Sequence, residues 1–369
     1  MAERDRIEAE GRNGAANLTI HRLQKTYGHG TRSKVAVDTL SLSVGLGESF
    51  TLLGPNGAGK TSTMLMLTGE IPPCGGEALI GGRGVYSGML DIFPLLGICP
   101  QQDTLFDQLT AREHLWLCCA LRGMNANDGE TATKALLEGL GIEEWADRRS
   151  STFSGGTKRK LCVGMALASS PRTVLLDEPS TGLDPVSKRK LWSLLTALRP
   201  GRSMLLTTHS MAEAEVLSTR VGIMGGGLLR CIGTPQHLKR RFGRGLYLKV
   251  RAPIGSKGDL VSLLASVVPP NMAVNSQETV PVTESDAESL GDVATLEFSL
   301  QLIGGDERAQ VKVSLTSLFG AMEEARQRLK IEDYSVTQVT LEQVFLRVTQ
   351  QQEGDGSEGD ADENRDDEY

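Results

Sequence analysis

The chain has 369 residues, of which 39% are hydrophobic and 4% aromatic, enough for one large domain and a smaller one. Its formal net charge of −7 arises at the carboxyl end, because residues 353–369 hold nine acidic residues and one arginine. We expect this acidic tail to be solvated and disordered. The rest of the chain is nearly neutral, which argues against nucleic acid as a partner.

Six cysteines are scattered along the chain without a CxxC pair, a pattern that favours a reducing compartment over a disulfide scaffold or a zinc site. The first 17 residues are polar and lack the apolar segment of a secretory signal. No apolar run approaches the length of about 18 residues that a membrane-spanning helix needs. We therefore expect a soluble chain, with any membrane role supplied by a partner.

Over the first two thirds of the chain, predicted strands alternate with predicted helices. Short apolar or partly alternating runs predict strands over 18–23, 35–44, 49–54, 173–178 and 203–209. Amphipathic or capped segments predict helices over 60–69, 109–123, 131–141, 155–169 and 185–198. This alternation indicates an α/β fold with a mostly parallel sheet covered on both faces.

Composition shifts near residue 245, and a second, smaller α+β unit follows. Its predicted strands cover 246–252, 293–302 and 334–340, and its predicted helices cover 257–268, 315–329 and 341–351. The polar stretch 269–292 predicts a long loop.

A phosphate-binding loop is predicted where the strand 49–54 meets the helix 60–69. The sequence GPNGAGKT fits G-x-x-x-x-G-K-[ST] in the strand-to-helix context that this motif requires. Converging backbone N–H groups and the helix N-terminus would hold the phosphates of ATP, through Gly54, Pro55, Asn56, Gly57, Ala58, Gly59, Lys60 and Thr61. We expect Lys60 to reach the β- and γ-phosphates, Thr61 to bind Mg²⁺ and Ser62 to contact the α-phosphate.

Acidic and polar side chains follow neighbouring strands at the carboxyl edge of the predicted sheet. Asp177 and Glu178 end the buried strand TVLLDE, where α/β sheets bind ligands. We expect Asp177 to hold Mg²⁺ through water and Glu178 to polarise the attacking water. His209 ends the next strand and is placed to reach the γ-phosphate. Of Gln101 and Gln102, which follow a further strand, one would complete the Mg²⁺ shell.

The sequence FSGGTKRKL (153–161) predicts a second helix start with free N–H groups and a serine hydroxyl, again an anion site. The loop 54–61 already provides the cradle for one nucleotide. The simplest occupant of the second site is therefore the nucleotide of another copy, in a head-to-tail two-fold pair.

GPNGAGKT, CPQQ, FSGGTKRKL, LLDEPSTGLDP and TTH, in this order, resemble the nucleotide-binding domain of ATP-binding cassette (ABC) proteins over about residues 18–245. The resemblance implies that Tyr27 stacks on adenine and that Gln101, rather than Gln102, is the glutamine of the lever loop. It makes His209 the switch histidine and Asp184 part of a loop that communicates across the dimer. It also implies contact with the partner's γ-phosphate through Ser154, Gly155 and Gly156.

The finer resemblance is to subfamily A, the lipid-exporter branch. Residues 106–115, 233–250 and 334–348 look like its second nucleotide-binding domain and the small regulatory domain that follows. The implied fold class is a P-loop NTPase cassette of ABC type with a helical subdomain, followed by a ferredoxin-like α+β domain. The expected organisation is a disordered segment, the cassette, the regulatory domain and the acidic tail, over 1–17, 18–245, 246–351 and 352–369.

The chain departs from the family in three respects. Residues 269–292 look longer than a compact regulatory loop needs. Thr157 stands where many ABC proteins have glutamine, although subfamily A commonly varies there. Subfamily A proteins also carry membrane helices and two cassettes on one long chain, so this chain is expected to be a separate subunit, a fragment or an incomplete gene product.

The expected function is ATP binding and hydrolysis in an ABC transporter, with Glu178, His209 and Gln101 as catalytic residues and Thr61, Gln101 and Asp177 at Mg²⁺. Expected partners are a second cassette and transmembrane domains at the cytoplasmic face of a membrane, with lipid as the substrate that the membrane partner handles.

One alternative is a soluble ABC ATPase acting on ribosomes, DNA or iron–sulfur assembly, against which the lack of a basic excess argues. The other is a regulatory cassette that binds ATP without cycling, against which the intact Lys60, Glu178 and His209 argue. The small domain is either a regulatory dimer clasp or simply packed onto the cassette.

Overall fold

The computed structural model describes residues 16–28, 30, 33–242, 246–268, 272–280, 293–302, 315–338 and 340–355. Nearly all of the predicted N-terminal segment and most of the acidic tail lie outside this part of the chain. The described residues form two compact units. One runs up to Pro235 and includes the residues from Val348 onward, and the other spans Gln236–Arg347.

The first unit contains an antiparallel sheet of four strands. They are β1 (Ala16–Tyr27), β2 (Lys34–Gly45), β4 (Gly75–Ile80) and β5 (Arg83–Gly84), in the order β2-β1-β4-β5. Leu18, Ile20 and Leu23 of β1 are buried in the core of this unit. Tyr27 stands at the carboxyl end of β1, so this sheet positions the predicted adenine-stacking residue.

The central sheet of the first unit has six strands in the order β10-β9-β3-β8-β7-β6. They are β3 (Ser49–Leu53), β6 (Leu96–Cys99), β7 (Thr173–Asp177), β8 (Ser203–Thr208), β9 (Arg220–Gly225) and β10 (Leu228–Gly233). All neighbours pair in parallel except β10, which runs antiparallel to β9. β3, β7 and β8 are buried along their whole length, as expected for a sheet covered on both faces.

Seven helices of the first unit flank these sheets: α1 (Lys60–Leu67), α2 (Met89–Ile92), α3 (Ala111–Leu121), α4 (Ala126–Leu140), α5 (Gly155–Leu167), α6 (Pro185–Leu198) and α7 (Met211–Leu217). α3, α4 and α5 pack on one another, and α5 also packs on β6 and β7. The capping box of Thr110 and Glu113 at the start of α3 is present. The helical layer that carries the FSGGTKRKL motif is therefore built directly onto β6 and β7, the strands that are followed by Gln101 and Glu178.

The second unit begins with α8 (Pro235–Phe242) and has a βαββαβ core. Its elements are β11 (Leu246–Pro253), α9 (Lys257–Val267), β12 (Met272–Val280), β13 (Val293–Leu302), α10 (Leu315–Arg326), β14 (Asp333–Gln338) and the first part of α11 (Leu341–Asp355), a helix that belongs to the first unit from Val348. The sheet order β12-β13-β11-β14, antiparallel throughout, is the ferredoxin-like arrangement, so this part of the predicted fold is confirmed.

The prediction of a loop over 269–292 was wrong for Met272–Val280, which forms β12. Its polar sequence gives little strand signal alone, and its pairing with β13 supplies the hydrogen bonds that stabilise it. Among the described helices, none combines the length and the apolar character that crossing a bilayer requires.

Candidate active site

The turn between β3 and α1 has the geometry of a phosphate cradle. Gly59 adopts φ +103°, and a Cβ there would overlap the carbonyl oxygen of Ala36, so only glycine fits. Gly59 provides no side-chain cap for α1, which leaves its first N–H groups available to an anion. Gly57 has φ +80°, and no atom lies within 4 Å of the place its Cβ would take. The turn is thus shaped by its backbone and open on one side.

Lys60 lies inside this turn with only 5% of its surface exposed. Its Nζ donates hydrogen bonds to the carbonyl oxygens of Gly54, at 2.7 Å, and Pro55, at 3.0 Å. Burial lowers the pKa of Lys60, while the carboxylates of Glu178 and Asp177 act to raise it. The ammonium therefore lies within the field of both acids. Both of these hydrogen-bond acceptors are neutral carbonyl oxygens, and a phosphate would add an anionic partner for the ammonium.

Tyr27 is tied to the helix that follows the cradle. Its hydroxyl donates to Oγ of Ser62 at 3.3 Å, and 41% of its surface is exposed. Nζ of Lys25 lies 5.3 Å from the centre of the ring and also donates to the carbonyl oxygen of Pro72. The ring is held beside the cradle and stays accessible for stacking.

Asp177 ends β7 as a buried carboxylate, only 4% exposed. Its Oδ1 accepts a hydrogen bond from the hydroxyl of Thr207 on the neighbouring strand β8. Burial raises the pKa of Asp177, with Thr207, Arg159 and Lys60 acting in the opposite direction. A divalent cation is the kind of ligand that would compensate such a carboxylate.

Glu178 follows directly in the left-handed region of φ, at +51°. Its N–H donates to the carbonyl oxygen of Thr207 at 3.1 Å, which fixes the backbone at the strand end. Oε2 accepts from the hydroxyl of Thr181 at 3.1 Å, and Oε1 lies 3.2 Å from Nδ1 of His209. The side chain of His209 is 60% exposed. The structure thus brings the two predicted catalytic residues of adjacent strands into contact, with the imidazole open to a ligand.

Gln101 and Gln102 lie just beyond β6, and both are exposed. Gln101 joins the site through its backbone, since its carbonyl oxygen accepts from the guanidinium of Arg159 at 3.2 Å. Thr61, the other predicted Mg²⁺ ligand, is exposed at the start of α1. Hydroxyl, carboxylate and amide oxygens are suitable ligands for Mg²⁺, so the donor set of Thr61, Asp177 and Gln101 fits this ion.

Ser154 caps α5, accepting a hydrogen bond from the N–H of Thr157 at 3.2 Å. Gly155 faces open space, and a Cβ on Gly156 would meet Leu183 at 3.4 Å, immediately before Asp184. Among the described residues, no hydrogen bond joins the turn 154–156 to the cradle 54–62.

Asp184 caps α6, and its Oδ1 accepts from the N–H groups of Val186 and Ser187, each at 3.0 Å. Hydrogen bonds from Ser187 hold the pKa of Asp184 below its usual value. This loop is therefore rigid at the residue that the family resemblance singles out.

The sequence analysis assigned no role to two residues of this site, Thr207 and Arg159. Each carries a signal: a hydroxyl directly after the apolar residues 204–206 of β8, and a cation on the buried side of a helix. Their partners, however, are distant in sequence, and only the fold brings them together.

Residues 37–181 match the protein family described as ABC transporter. The chain contains an ABC transporter domain. This cassette shares 42% identity over 91% of the chain with the human ATP-binding cassette sub-family A member 2, covering 13% of that protein. It shares 40% identity over 95% of the chain with the bovine retinal-specific phospholipid-transporting ATPase ABCA4, covering 14% of that protein. The resemblance to subfamily A is thereby confirmed, and the chain spans only a small part of these relatives.

Solved cassettes have the same fold. A structure titled as the ATP binding subunit of an ABC transporter is 28% identical, with a TM-score of 0.56, covering 61% of this chain and 92% of its own. A bacterial ABC transporter cassette, solved as a dimer, is 23% identical with a TM-score of 0.55, covering 59% of this chain and 98% of its own. The predicted fold class is confirmed.

Proposed function

We propose that this chain binds and hydrolyses ATP as part of a subfamily A-type ABC transporter, where a pair of cassettes drives lipid transport across a membrane. The observation that carries the proposal is the Glu178 carboxylate, held between His209 and Thr181 beside the Lys60 cradle. The lipid substrate is supported by the bovine relative, which is named a phospholipid-transporting ATPase.

Different residues bind the phosphates, the adenine and the metal ion. The N–H groups of Gly54–Thr61 and the ammonium of Lys60 bind the phosphates, and Tyr27 stacks on the adenine. Thr61, Asp177 and Gln101 would hold Mg²⁺, which when bound would neutralise charge on the phosphate oxygens.

Glu178 orients the attacking water and accepts its proton, and His209 donates to the γ-phosphate. Because Nδ1 of His209 also contacts Glu178, the histidine connects the general base to the phosphate that the activated water attacks.

A second glycine-rich helix start besides the cradle, capped by Ser154, supports a pair of chains. Ser154, Gly155 and Gly156 contact the nucleotide held in the cradle of the other copy, and Asp184 lies in the loop between the copies. We propose the cassette over 18–245 and the regulatory domain over 246–351. Transmembrane domains at the cytoplasmic face of the membrane would be the remaining partners.

Mixing two inactive variants tests the pairing. Lys60→Ala disables the cradle of one chain, and Ser154→Arg disables the turn of the other. A mixed pair then contains one intact site, built from the cradle of the Ser154→Arg chain and the turn of the Lys60→Ala chain. With equal amounts of two freely exchanging chains, we expect about one quarter of the wild-type ATPase rate.

The matched control mixes the Lys60→Ala chain with a Glu178→Gln chain in place of the Ser154→Arg chain. Both lesions then affect the cradle side, every site in a mixed pair is defective, and no activity should return. Failure of the Lys60→Ala and Ser154→Arg mixture to recover would contradict the shared-site arrangement. If the wild-type chain itself shows no turnover, the hydrolytic function is refuted in favour of a regulatory cassette.

A further inference from the structure

Arg159 is a buried cation near the start of α5, five residues after Ser154. Its side chain is only 4% exposed. Nη1 donates to the carbonyl oxygens of Pro100, at 2.6 Å, and Gln101, at 3.2 Å. The same nitrogen lies 3.3 Å from Oδ1 of Asp103. Arg159 thereby binds residues 100–103, the beginning of the segment predicted as the lever loop.

The other end of the guanidinium reaches the end of β7. Nη2 donates to the carbonyl oxygen of Glu178 at 3.0 Å and to that of Asp177. Glu178 is the residue whose left-handed backbone directs its carboxylate toward His209. A shift of the guanidinium would therefore be transmitted to the direction of the Glu178 side chain.

This arrangement joins three segments through one rigid group. Arginine presents its donors in a planar fork, which can bond several acceptors at fixed angles. The Asp103 carboxylate is the acidic partner, and it is 26% exposed. The carbonyl groups at two strand ends provide the remaining compensation for a buried charge. The start of α5, the lever loop and the end of β7 are thus constrained to move together.

We propose that Arg159 is a positioning residue that couples the Ser154–Gly156 turn to Gln101 and Glu178. A nucleotide held by a second copy, on contacting the turn, would then align the water-activating carboxylate of this chain. The proposal rests on the ATP hydrolysis proposed above and states how that hydrolysis is regulated. It differs from a purely structural role because Ser154 and Arg159 should act on turnover as one unit.

The test measures kcat and KM for ATP in the full chain carrying Arg159→Lys, Ser154→Ala or both. Lysine keeps the charge and loses the fork, so kcat should fall about 10-fold to 100-fold with KM changed less than about threefold. If the two residues act as a unit, kcat of the double variant should lie close to that of the slower single variant. Losses that multiply would overturn the coupling.

Arg122→Lys is the matched control. Arg122 is half-buried, and its guanidinium donates to the carbonyl oxygens of Leu96, Met165 and Ala168, away from Glu178. This variant should lose thermal stability yet keep kcat within about threefold, and its effect should multiply with that of Ser154→Ala.

Asp103→Asn is a second variant for the case in which Arg159→Lys does not fold. It weakens the ion pair at the lever loop and should lower kcat about threefold or more at constant KM. Wild-type kcat in the variant tested, whether Arg159→Lys or Asp103→Asn, would overturn the proposal while leaving the hydrolytic function in place. An inactive wild-type chain would remove both.

Discussion

Nδ1 of His209 lies 3.2 Å from Oε1 of Glu178, and the two residues end neighbouring parallel strands, β8 and β7. The second carboxylate oxygen of Glu178 is occupied by the hydroxyl of Thr181. The carboxylate is therefore fixed on both sides before any nucleotide is bound. Little reorganisation is needed for it to act as a general base, which is the condition under which such groups are effective.

Glu178→Gln should retain the fold and nucleotide binding but lose turnover. The amide oxygen can still accept from Thr181, and the amide nitrogen can donate to His209, but no group can take the proton from water. We expect the ATPase rate to fall at least about 100-fold and a nucleotide-bound pair to accumulate. Steady-state kinetics and size-exclusion chromatography with ATP measure the two effects, and wild-type turnover would refute the assignment of Glu178.

Two substitutions of Tyr27 separate the contribution of ring stacking to ATP affinity from that of the hydrogen bond to Ser62. Tyr27→Phe removes the bond to Ser62 and keeps the ring, so ATP affinity should change by about 1 kcal/mol or less. Tyr27→Ala removes the aromatic surface and should cost about 1–3 kcal/mol of binding. Titration with a fluorescent ATP analogue gives both values. Equal losses in the two variants would show that stacking is not the function of this residue.

Asp177→Asn should stabilise the protein at neutral pH while abolishing Mg²⁺-dependent activity. Burial raises the pKa of Asp177 above its ordinary value of 3.8, so the folded state binds this proton more tightly than the unfolded state. The wild-type free energy of unfolding therefore falls as pH rises from about 3.8 through the raised pKa. The asparagine keeps the acceptor for Thr207 and lacks this loss, so a gain of about 0.5–2 kcal/mol is expected at pH 7.

Denaturant unfolding of both proteins between pH 4 and pH 8 measures this difference, which should shrink toward acid. Asp184→Asn is the control of opposite sign. Its pKa is lowered from 3.8 by hydrogen bonds from Ser187, so the contribution of Asp184 to stability is complete above pH 3.8 and is lost only below it. Between pH 4 and pH 8, Asp184→Asn should therefore lower the free energy of unfolding by a nearly constant amount. A stability difference for Asp177→Asn that is constant over this pH range would contradict the account of its pKa.

The central strands and the cradle could be predicted because their signals are local. β3, β7 and β8 are short apolar runs that end in glycine, acidic residues or histidine, and the structure confirms each of them. The cradle follows from spacing alone, since glycine, lysine and threonine must occur at fixed distances to surround a phosphate.

The parts that were missed depend on distant partners. β4 begins with two glycines and exists because it pairs with β1, while β12 exists because it pairs with β13. Arg159 binds residues from about 20 to 60 positions away, contacts that no periodicity encodes. The residues that perform the chemistry could therefore be predicted from the sequence. The residues that position them, such as Arg159, are determined by the tertiary fold.

Gly57 and Gly59 provide the last prediction, because both have positive φ and only one is sterically confined. A Cβ on Gly59 would overlap the carbonyl oxygen of Ala36, whereas Gly57 has open space around the same position. Gly57→Ala should cost about 1–2 kcal/mol from the left-handed backbone alone. Gly59→Ala adds a backbone clash and should cost more than about 3 kcal/mol. Thermal or denaturant unfolding without nucleotide separates the two variants. Equal stability losses would show that the Ala36 contact does not confine the turn.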